Sequence, residues 1–113
     1  MDISRTVRIS LKARLDKTYP RGIHVGENSY IAAGAIVLSH DFTRNIHTDT
    51  YIGSNSFIGM NAIILPGIKI GDSVIIGSGS VVTKNIPNNC IAAGNPARIL
   101  KENINTKRYG QLS

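Results

Sequence analysis

The sequence of 113 residues is poor in several residue types, and each shortage excludes a class of protein. It contains a single cysteine, Cys90, so no internal disulfide can form, which favours a reducing compartment. Tryptophan is absent and aromatic residues make up only 5% of the chain, so large rings do not build its core. Because 42% of the residues are hydrophobic and 18% are charged, the composition is that of a folded domain rather than a disordered chain.

Long apolar runs are also missing. No stretch approaches the roughly 20 apolar residues that a membrane-spanning helix needs, so we expect no membrane span. The first ten residues, MDISRTVRIS, lack the apolar centre of a secretion signal, which favours a cytoplasmic location. Basic residues exceed acidic ones by 13 to 7, and the resulting net charge of +6 predicts an anionic partner without naming it.

Aliphatic β-branched residues recur at every sixth position over most of the chain. The positions are Val25, Ile31, Val37, Ile52, Ile58, Ile64, Ile70, Ile76 and Val82. A small residue follows most of them, and a second small residue usually stands four positions after. A period of six does not match the 3.6 residues of a helical turn, and each interior glycine would cost a helix about 1 kcal/mol. The pattern instead predicts a solenoid of short parallel strands with three hexads in each coil.

The repeat divides into coils at about residues 25–42, 52–69 and 70–87, after a degenerate first coil. Its phase breaks between Val37 and Ile52, so we expect an inserted loop over about residues 41–51. Insertions of this kind bulge from one face of a solenoid and often carry its function. We predict one domain over residues 1–113, with the solenoid at about 7–91 and a C-terminal cap at about 92–113. Within the cap we expect a short helix from about Pro96 to Asn103.

Large apolar residues also occupy the outward positions of the hexads. They are Tyr30, Ile36, Phe57, Ile63, Ile75 and Val81. Six such residues at one kind of position exceed the scatter that is normal on a monomer surface, so they predict a subunit interface. A chain this short also buries too little surface to be comfortably stable alone.

The hexad pattern resembles the hexapeptide-repeat acyltransferase family. The run GSGSVVTKNIPNNCIAAGNPARIL, from Gly77 to Leu100, is similar to the segment that ends acetyl-coenzyme A-dependent members. The segments RLDKTYPRGIHVG and SHDFTR look most like bacterial sugar O-acetyltransferases of polysaccharide synthesis. The resemblance implies an all-β fold, a left-handed parallel β-helix, and a homotrimer with active sites between subunits. It implies acetyl-CoA as the acyl donor and a hydroxyl of a sugar or polysaccharide precursor as the acceptor.

The resemblance also assigns two catalytic roles. His40, at the end of a hexad and just before the inserted loop, matches the family's general base. Ala33, Met60 and Ser78 hold equivalent places in successive coils, and the family's oxyanion donor is the backbone N–H at the position of Met60. His24 and His47 are interpreted as incidental, and Cys90 as a packing residue.

Coenzyme-binding and acceptor-binding residues follow from the same resemblance and from charge. Ser78 is expected beside the pantetheine arm, whose amides suit backbone groups at the coil corners, and Thr83 is also expected to bind the coenzyme. Three basic residues are expected to meet the coenzyme's phosphates, namely Lys84, Arg98 and Lys101. Asp16, Asp41 and Asp49 are candidates for acceptor binding or for orienting His40.

Other functions remain open at this point. A sugar N-acetyltransferase would use the same solenoid, and a structural solenoid would need neither His40 nor the basic C-terminal run. A γ-type carbonic anhydrase needs three His ligands with two in a His-x4-His spacing, which the sequence lacks, so no metal is expected. Nucleic-acid binding is suggested by charge alone, without any nucleic-acid motif, so no such partner is expected.

Overall fold

The structure, a computed structural model, describes residues 1–41 and 43–113, and its secondary structure is almost entirely short strands. The strands are β1 Asp2–Ile3, β2 Arg8–Ile9, β3 Arg14–Leu15, β4 Ile23–Val25, β5 Tyr30–Ile31, β6 Ile36–Val37, β7 His40–Asp41, β8 Ile46–His47, β9 Thr50–Ile52, β10 Phe57–Ile58, β11 Ile63–Ile64, β12 Lys69–Ile70, β13 Ile75–Ile76, β14 Val81–Val82, β15 Ile91–Gly94 and β16 Ala97–Lys101. Two single 3-10 turns accompany them, Pro20–Gly22 and Arg108–Gly110.

Three parallel ladders form the faces of a β-helix. Face A contains β1, β4, β9 and β12; face B contains β2, β5, β10, β13 and β15, with β16 at its end; face C contains β3, β6, β11 and β14. Every parallel pair joins strands that are one coil apart, such as β5 with β10. The predicted β-helix is therefore confirmed, and the predicted degenerate first coil is the one formed by β1, β2 and β3.

The hexad residues fill the axis of the coil. Ile31, Ile58 and Ile76 stack in register on face B, and Val37, Ile64 and Val82 stack on face C. All six are fully buried. Six residues that stand four positions after an aliphatic hexad residue are buried as well, and they are Ser29, Ala35, Ser56, Ala62, Val74 and Ser80. Cys90 is also buried, in agreement with its interpretation as a packing residue.

The corners favour particular residue types at two recurring positions. The corner between faces A and B turns through residues of positive φ that stack above one another, namely Asn28, Asn55, Ser73 and Asn89. The glycines directly after the aliphatic residues have a different role. A Cβ on Gly59 would lie 2.6 Å from the carbonyl oxygen of Ile76, so glycine is needed there because the next coil passes so closely.

The inserted segment is a small hairpin. Strands β7 and β8 pair antiparallel, with His40 opposite His47 and Asp41 opposite Ile46. Phe42 lies outside the described residues. The hairpin leaves the solenoid at the corner between faces C and A, and the chain rejoins face A at β9.

The predicted C-terminal helix is wrong. Residues Ala97–Lys101 form a strand that folds back antiparallel on β15, through a turn at Gly94 and a cis Asn95–Pro96 bond. The strand is favoured because β15 is an open edge of face B whose backbone groups need partners, and β16 supplies them. Tertiary pairing thereby overrides the local helix pattern.

After β16 the chain runs back along the corner between faces A and B. The backbone N–H of Ile104 donates to the carbonyl of Asn89, the Thr106 hydroxyl to Asn55, and the backbone N–H of Tyr109 to Asn28. The Tyr109 ring meets Tyr30 edge-on and lies under the guanidinium of Arg8. We call residues 102–113 the tail. It links the last coil to the first.

The tail also divides the predicted apolar interface. Tyr30, Phe57 and Ile75 lie on face B, where Tyr109 and Gly110 pack against Tyr30 and Phe57. Ile36, Ile63 and Val81 form the outward ladder of face C, where they are half-buried. Among the described residues no helix is long and apolar enough to span a bilayer.

Candidate active site

His40 lies where the chain leaves the solenoid, at the corner between faces C and A. Two residues separate it from the end of β6, and it begins the hairpin as the first residue of β7. The residues before it are fixed: the carbonyl of Leu38 accepts a hydrogen bond from Thr50 Oγ1 at 2.6 Å, and Ser39 is fully buried. The His40 imidazole is therefore placed on rigid backbone with its side chain half-exposed.

Asp16 anchors that backbone from the preceding coil. One carboxylate oxygen accepts the N–H of Ser39 at 2.9 Å, and the other accepts those of Thr18 at 2.8 Å and Tyr19 at 3.0 Å. Burial raises the pKa of Asp16, but these three N–H groups and the nearby charge of His40 outweigh it, so its pKa lies below the ordinary value. Asp16 thus holds the residue next to His40 and acts on His40 electrostatically.

A stack of rings supports the imidazole from the hairpin side. The His40 and His47 rings meet edge-on with centroids 5.4 Å apart, and His47 stacks on Tyr19 with centroids 4.8 Å apart. The sequence alone suggests that His47 is incidental, but the structure places it in contact with His40. A signal existed, since two His residues at the ends of a short insertion become opposite residues if the insertion is a hairpin.

Two open grooves meet at His40. The first, of about 640 Å³, lies between the hairpin and the later coils, and its lining includes Asp41, Thr48, Pro66 and Thr83. The second, of about 830 Å³, runs along the first coil over face C, and its lining includes Lys12, Arg14, Asp16 and Lys17. We call them the coil 3–4 groove and the coil 1 groove. A reacting group at His40 can be approached from both sides.

The other two predicted acidic residues have separate places. Asp41 lines the coil 3–4 groove but is engaged in the hairpin turn, where it accepts from Thr43 Oγ1 at 2.8 Å and pairs with Arg44 Nε at 3.0 Å. The hydrogen bond from Thr43 is the main cause that lowers the pKa of Asp41. Asp49 lies away from His40, on the outer surface of face A, where it contacts His24 at 3.3 Å.

The corner between faces B and C holds a second group of predicted residues. The N–H of Asn61 bonds the carbonyl of Ala33, and the N–H of Gly79 bonds that of Met60, so Ala33, Met60 and Ser78 do stack as expected. Met60 is 53% exposed, and within the described residues its N–H has no hydrogen-bond acceptor. Arg98 lies opposite Ala93 at the same end of face B.

The remaining predicted coenzyme residues lie elsewhere. Thr83 and Lys84 are exposed after β14, at the corner between faces C and A, and Thr83 lines the coil 3–4 groove. Lys101 pairs with Ile91 at the far end of β16, so it lies across face B from Arg98. The structure therefore does not bring Lys101 to Ser78.

The predicted catalytic residues are divided between the two edges of face C. Met60 precedes β11 and His40 follows β6, and these two strands pair in register. The width of the face separates them by a distance on the order of 15–20 Å. One thioester cannot contact both groups in a single chain.

The third histidine is separate from this site. His24 lies on face A, stacked on Tyr51 with centroids 4.4 Å apart. Across residues 1–41 and 43–113, no three His, Cys, Asp or Glu side chains are arranged to hold a metal ion.

Comparison with known proteins fits this architecture. The family model "Bacterial transferase hexapeptide (six repeats)" matches residues 49–84, and "Hexapeptide repeat of succinyl-transferase" matches residues 18–39. A solved structure of a maltose O-acetyltransferase from Clostridium difficile 630 superposes with a TM-score of 0.67 and 33% identity, over 87% of this chain and 67% of that one.

Two curated relatives extend the likeness. Galactoside O-acetyltransferase of Escherichia coli (strain K12) is 37% identical over 97 residues, which are 77% of this chain and 48% of the relative. YvoF of Bacillus subtilis (strain 168), a provisionally assigned acetyltransferase, is 32% identical over 102 residues, 88% of this chain and 59% of the relative. The chain thus spans about half the length of these relatives. It belongs to the hexapeptide-repeat acyltransferase family.

Proposed function

We propose that the chain, acting as one domain over residues 1–113, transfers an acetyl group from acetyl-CoA to a hydroxyl of a sugar or polysaccharide precursor. His40 is the general base. The observation that carries the proposal is the position of His40 on anchored backbone where two grooves meet. Similarity to galactoside and maltose O-acetyltransferases supports a sugar as the acceptor.

The proposed assembly is a homotrimer with its active sites between subunits. His40, Thr83 and Lys84 lie at one edge of face C, whereas Met60, Ser78 and Arg98 lie at or near its other edge. A cyclic assembly would bring one copy's first edge against its neighbour's second edge. The tail occupies the remaining corner, between faces A and B, which leaves both of these edges accessible.

The donor fits the corner between faces B and C. Met60 offers a backbone N–H, Ser78 and Gly79 are exposed without bulky side chains, and Arg98 adds a positive charge at the end of the column. Backbone groups at such a corner suit the amides of a pantetheine arm. We propose that Arg98 of this copy and Lys84 of an adjacent copy meet the phosphates, while Lys101 has a weaker role.

The chemistry needs no covalent enzyme intermediate, because the thioester is already activated. His40 accepts the proton of the acceptor hydroxyl as that oxygen attacks the thioester carbonyl carbon. The backbone N–H of Met60, from the adjacent copy, donates to the developing oxyanion. As the C–S bond breaks, His40 returns the proton to the departing thiolate. Since acetyl-CoA and a free thiol both suit a reducing compartment, we place the reaction in the cytoplasm.

A steady-state assay tests the catalytic role of His40. Thiol release from acetyl-CoA is followed with a panel of sugars for the wild type, His40→Ala and His24→Gln. We expect His40→Ala to lower kcat by about 10²–10⁴-fold. His24→Gln, which changes an imidazole outside both grooves, should retain activity. Wild-type turnover by His40→Ala would exclude the mechanism, and preference for amino sugars acylated on nitrogen would favour an N-acetyltransferase.

A complementation experiment tests the shared site. His40→Ala and Ser78→Trp, each inactive alone, are co-expressed in equal amounts. If each site combines the two edges from different copies, mixed trimers regain roughly a quarter of wild-type activity. A site contained within one chain would show no recovery.

A further inference from the structure

Part of the positive charge of the first coil is concentrated in the coil 1 groove. Three cations, Lys12, Arg14 and Lys17, line the coil 1 groove, and all three are exposed. Within the described residues, none of them has an ion pair with a carboxylate. The groove therefore presents three positive charges without neutralising partners.

The acidic residue in the groove lining does not cancel this charge locally. Asp16 is only 7% exposed, and its two oxygens already accept three backbone N–H groups. Its charge acts on His40 at the end of the groove, as the lowering of the Asp16 pKa by His40 indicates. A ligand lying in the groove meets the exposed ammonium and guanidinium groups instead.

The floor of the groove is apolar. Leu15, Ile36 and Leu38 are half-buried side chains that line it beside the cations, and His40 closes one end. An apolar strip suits the C–H face of a sugar ring, and flanking cations suit an oxyanion attached to it. A groove that ends at the general base would present a ring hydroxyl to His40 while holding the anion along the first coil.

We propose that the acceptor is an anionic saccharide, a sugar carrying a phosphate or carboxylate group that Lys12, Arg14 and Lys17 bind. This inference rests on the proposed function and narrows its substrate class. Arg14 is suited to bind an oxyanion through two N–H groups, because its planar guanidinium matches phosphate and carboxylate geometry. Lys12 and Lys17 supply point charges on either side of it in sequence.

The test compares acceptors that share one ring. UDP-glucose, methyl glucuronide and neutral methyl glucoside, with the corresponding galacto series, are assayed against the wild type and the triple variant Lys12→Gln/Arg14→Gln/Lys17→Gln. We expect at least tenfold higher kcat/KM for an anionic acceptor than for the neutral glycoside. The triple variant should lose about tenfold with the anionic acceptor and change less than twofold with the neutral one. Preference for UDP-glucose would identify phosphate as the anion, and preference for methyl glucuronide would identify carboxylate.

The matched control is Arg5→Gln, which removes an exposed cation of the same coil that does not line the groove. It should behave as the wild type. Equal kcat/KM for charged and neutral acceptors, or no effect of the triple variant, would overturn the inference while leaving sugar acetylation intact. If no acceptor is acetylated, equilibrium dialysis measures the binding of UDP-glucose and of methyl glucuronide to the wild type and to the triple variant. Binding to the wild type that is lost in the triple variant would support an anion-binding site in the coil 1 groove and reject the proposed reaction. Absence of binding to either protein would reject both the anion-binding site and the reaction.

Discussion

His40 and His47 face each other across the antiparallel pair β7–β8, with ring centroids 5.4 Å apart and planes at 71°. Behind His47, the Tyr19 ring stacks at 4.8 Å. The three rings connect the end of the first coil to the hairpin, with His47 in the middle. His47 is therefore expected to position His40 rather than to react with substrate.

Removing the ring of His47 should loosen the imidazole of His40. We expect His47→Ala to lower kcat by about tenfold with little change in KM for acetyl-CoA, because misplacement of a catalytic group affects the chemical step. His47→Phe keeps a ring in the stack and should restore most of kcat. Equal losses in both variants would show that the ring stack is not what matters at this position.

Asp16→Asn should lower the stability of the fold. An amide cannot accept hydrogen bonds on both sides, so either the Ser39 N–H or those of Thr18 and Tyr19 would face an NH₂ group. We expect a loss of about 1–3 kcal/mol in the free energy of unfolding, measured with urea.

The same variant removes a negative charge near His40. We expect kcat to fall, because the imidazolium that forms when His40 takes the proton of the acceptor loses an attractive partner. Asp41→Asn, which alters a carboxylate engaged in the hairpin turn, is the control. An unchanged kcat in Asp16→Asn would limit Asp16 to a structural role.

His24 predicts a pH-dependent contribution to stability. The hydrogen bond to Asp2 at 3.0 Å is the main cause that raises the pKa of His24, burial opposes it, and Asp49 adds to it. A raised folded-state pKa stabilises the protein fully below about pH 6.5, and this contribution is lost as pH rises through the folded-state value. The difference in stability between the wild type and His24→Gln should therefore be larger at pH 5.5 than at pH 8.5. A constant difference across this range would show that the contact is uncharged.

Substitution by alanine should lower stability to different extents at Gly59 and Gly79, two glycines of the corner between faces B and C. At Gly59 a Cβ would meet backbone atoms of Ile76 and Ser78 at 2.6 and 2.7 Å, so Gly59→Ala should cost about 1–3 kcal/mol by forcing two coils apart. Gly79 has open space but a φ of +71°, so Gly79→Ala should cost about 1 kcal/mol.

Asparagine provides the control at the second position. Asn61, one coil earlier in the same column, already adopts a φ of 60°, so Gly79→Asn should lie within about 0.5 kcal/mol of the wild type. Thermal and urea unfolding of the three variants measure these differences. If Gly79→Asn proves as costly as Gly79→Ala, backbone conformation is not the reason for glycine at this corner.

Much of the fold could be predicted because the six-residue period determines which side chains point inward. Ile31, Ile58 and Ile76 stack as the spacing requires, and the break after Val37 does mark an insertion. The C-terminal strand could not be predicted in this way. Ala97–Lys101 takes its conformation by pairing with the open edge of β15 in a hairpin, which the six-residue period does not describe.

The site was predictable to a smaller extent. The column of Ala33, Met60 and Ser78 follows from hexad phase, since equivalent phases stack, whereas the choice of His40 rests on the resemblance to the family. The contacts of Asp16 and His47 depend on irregular segments, Asp16–Gly22 and the hairpin, where no period constrains which atoms meet. The separation of Lys101 from Ser78 likewise depends on the reversal of direction at Gly94.

The tail changes how the solenoid should behave as a folding unit. A stack of coils with only nearest-neighbour contacts can fray from either end, one coil at a time. Here Tyr109 packs on Tyr30 and against the guanidinium of Arg8, so residues near the C-terminus stabilise the first two coils. Because these contacts are distant in sequence, they should make the first and last coils unfold in one cooperative transition. They also raise the contact order, which slows folding. Melting should then be all-or-none, without the gradual loss of terminal coils seen when repeats act independently.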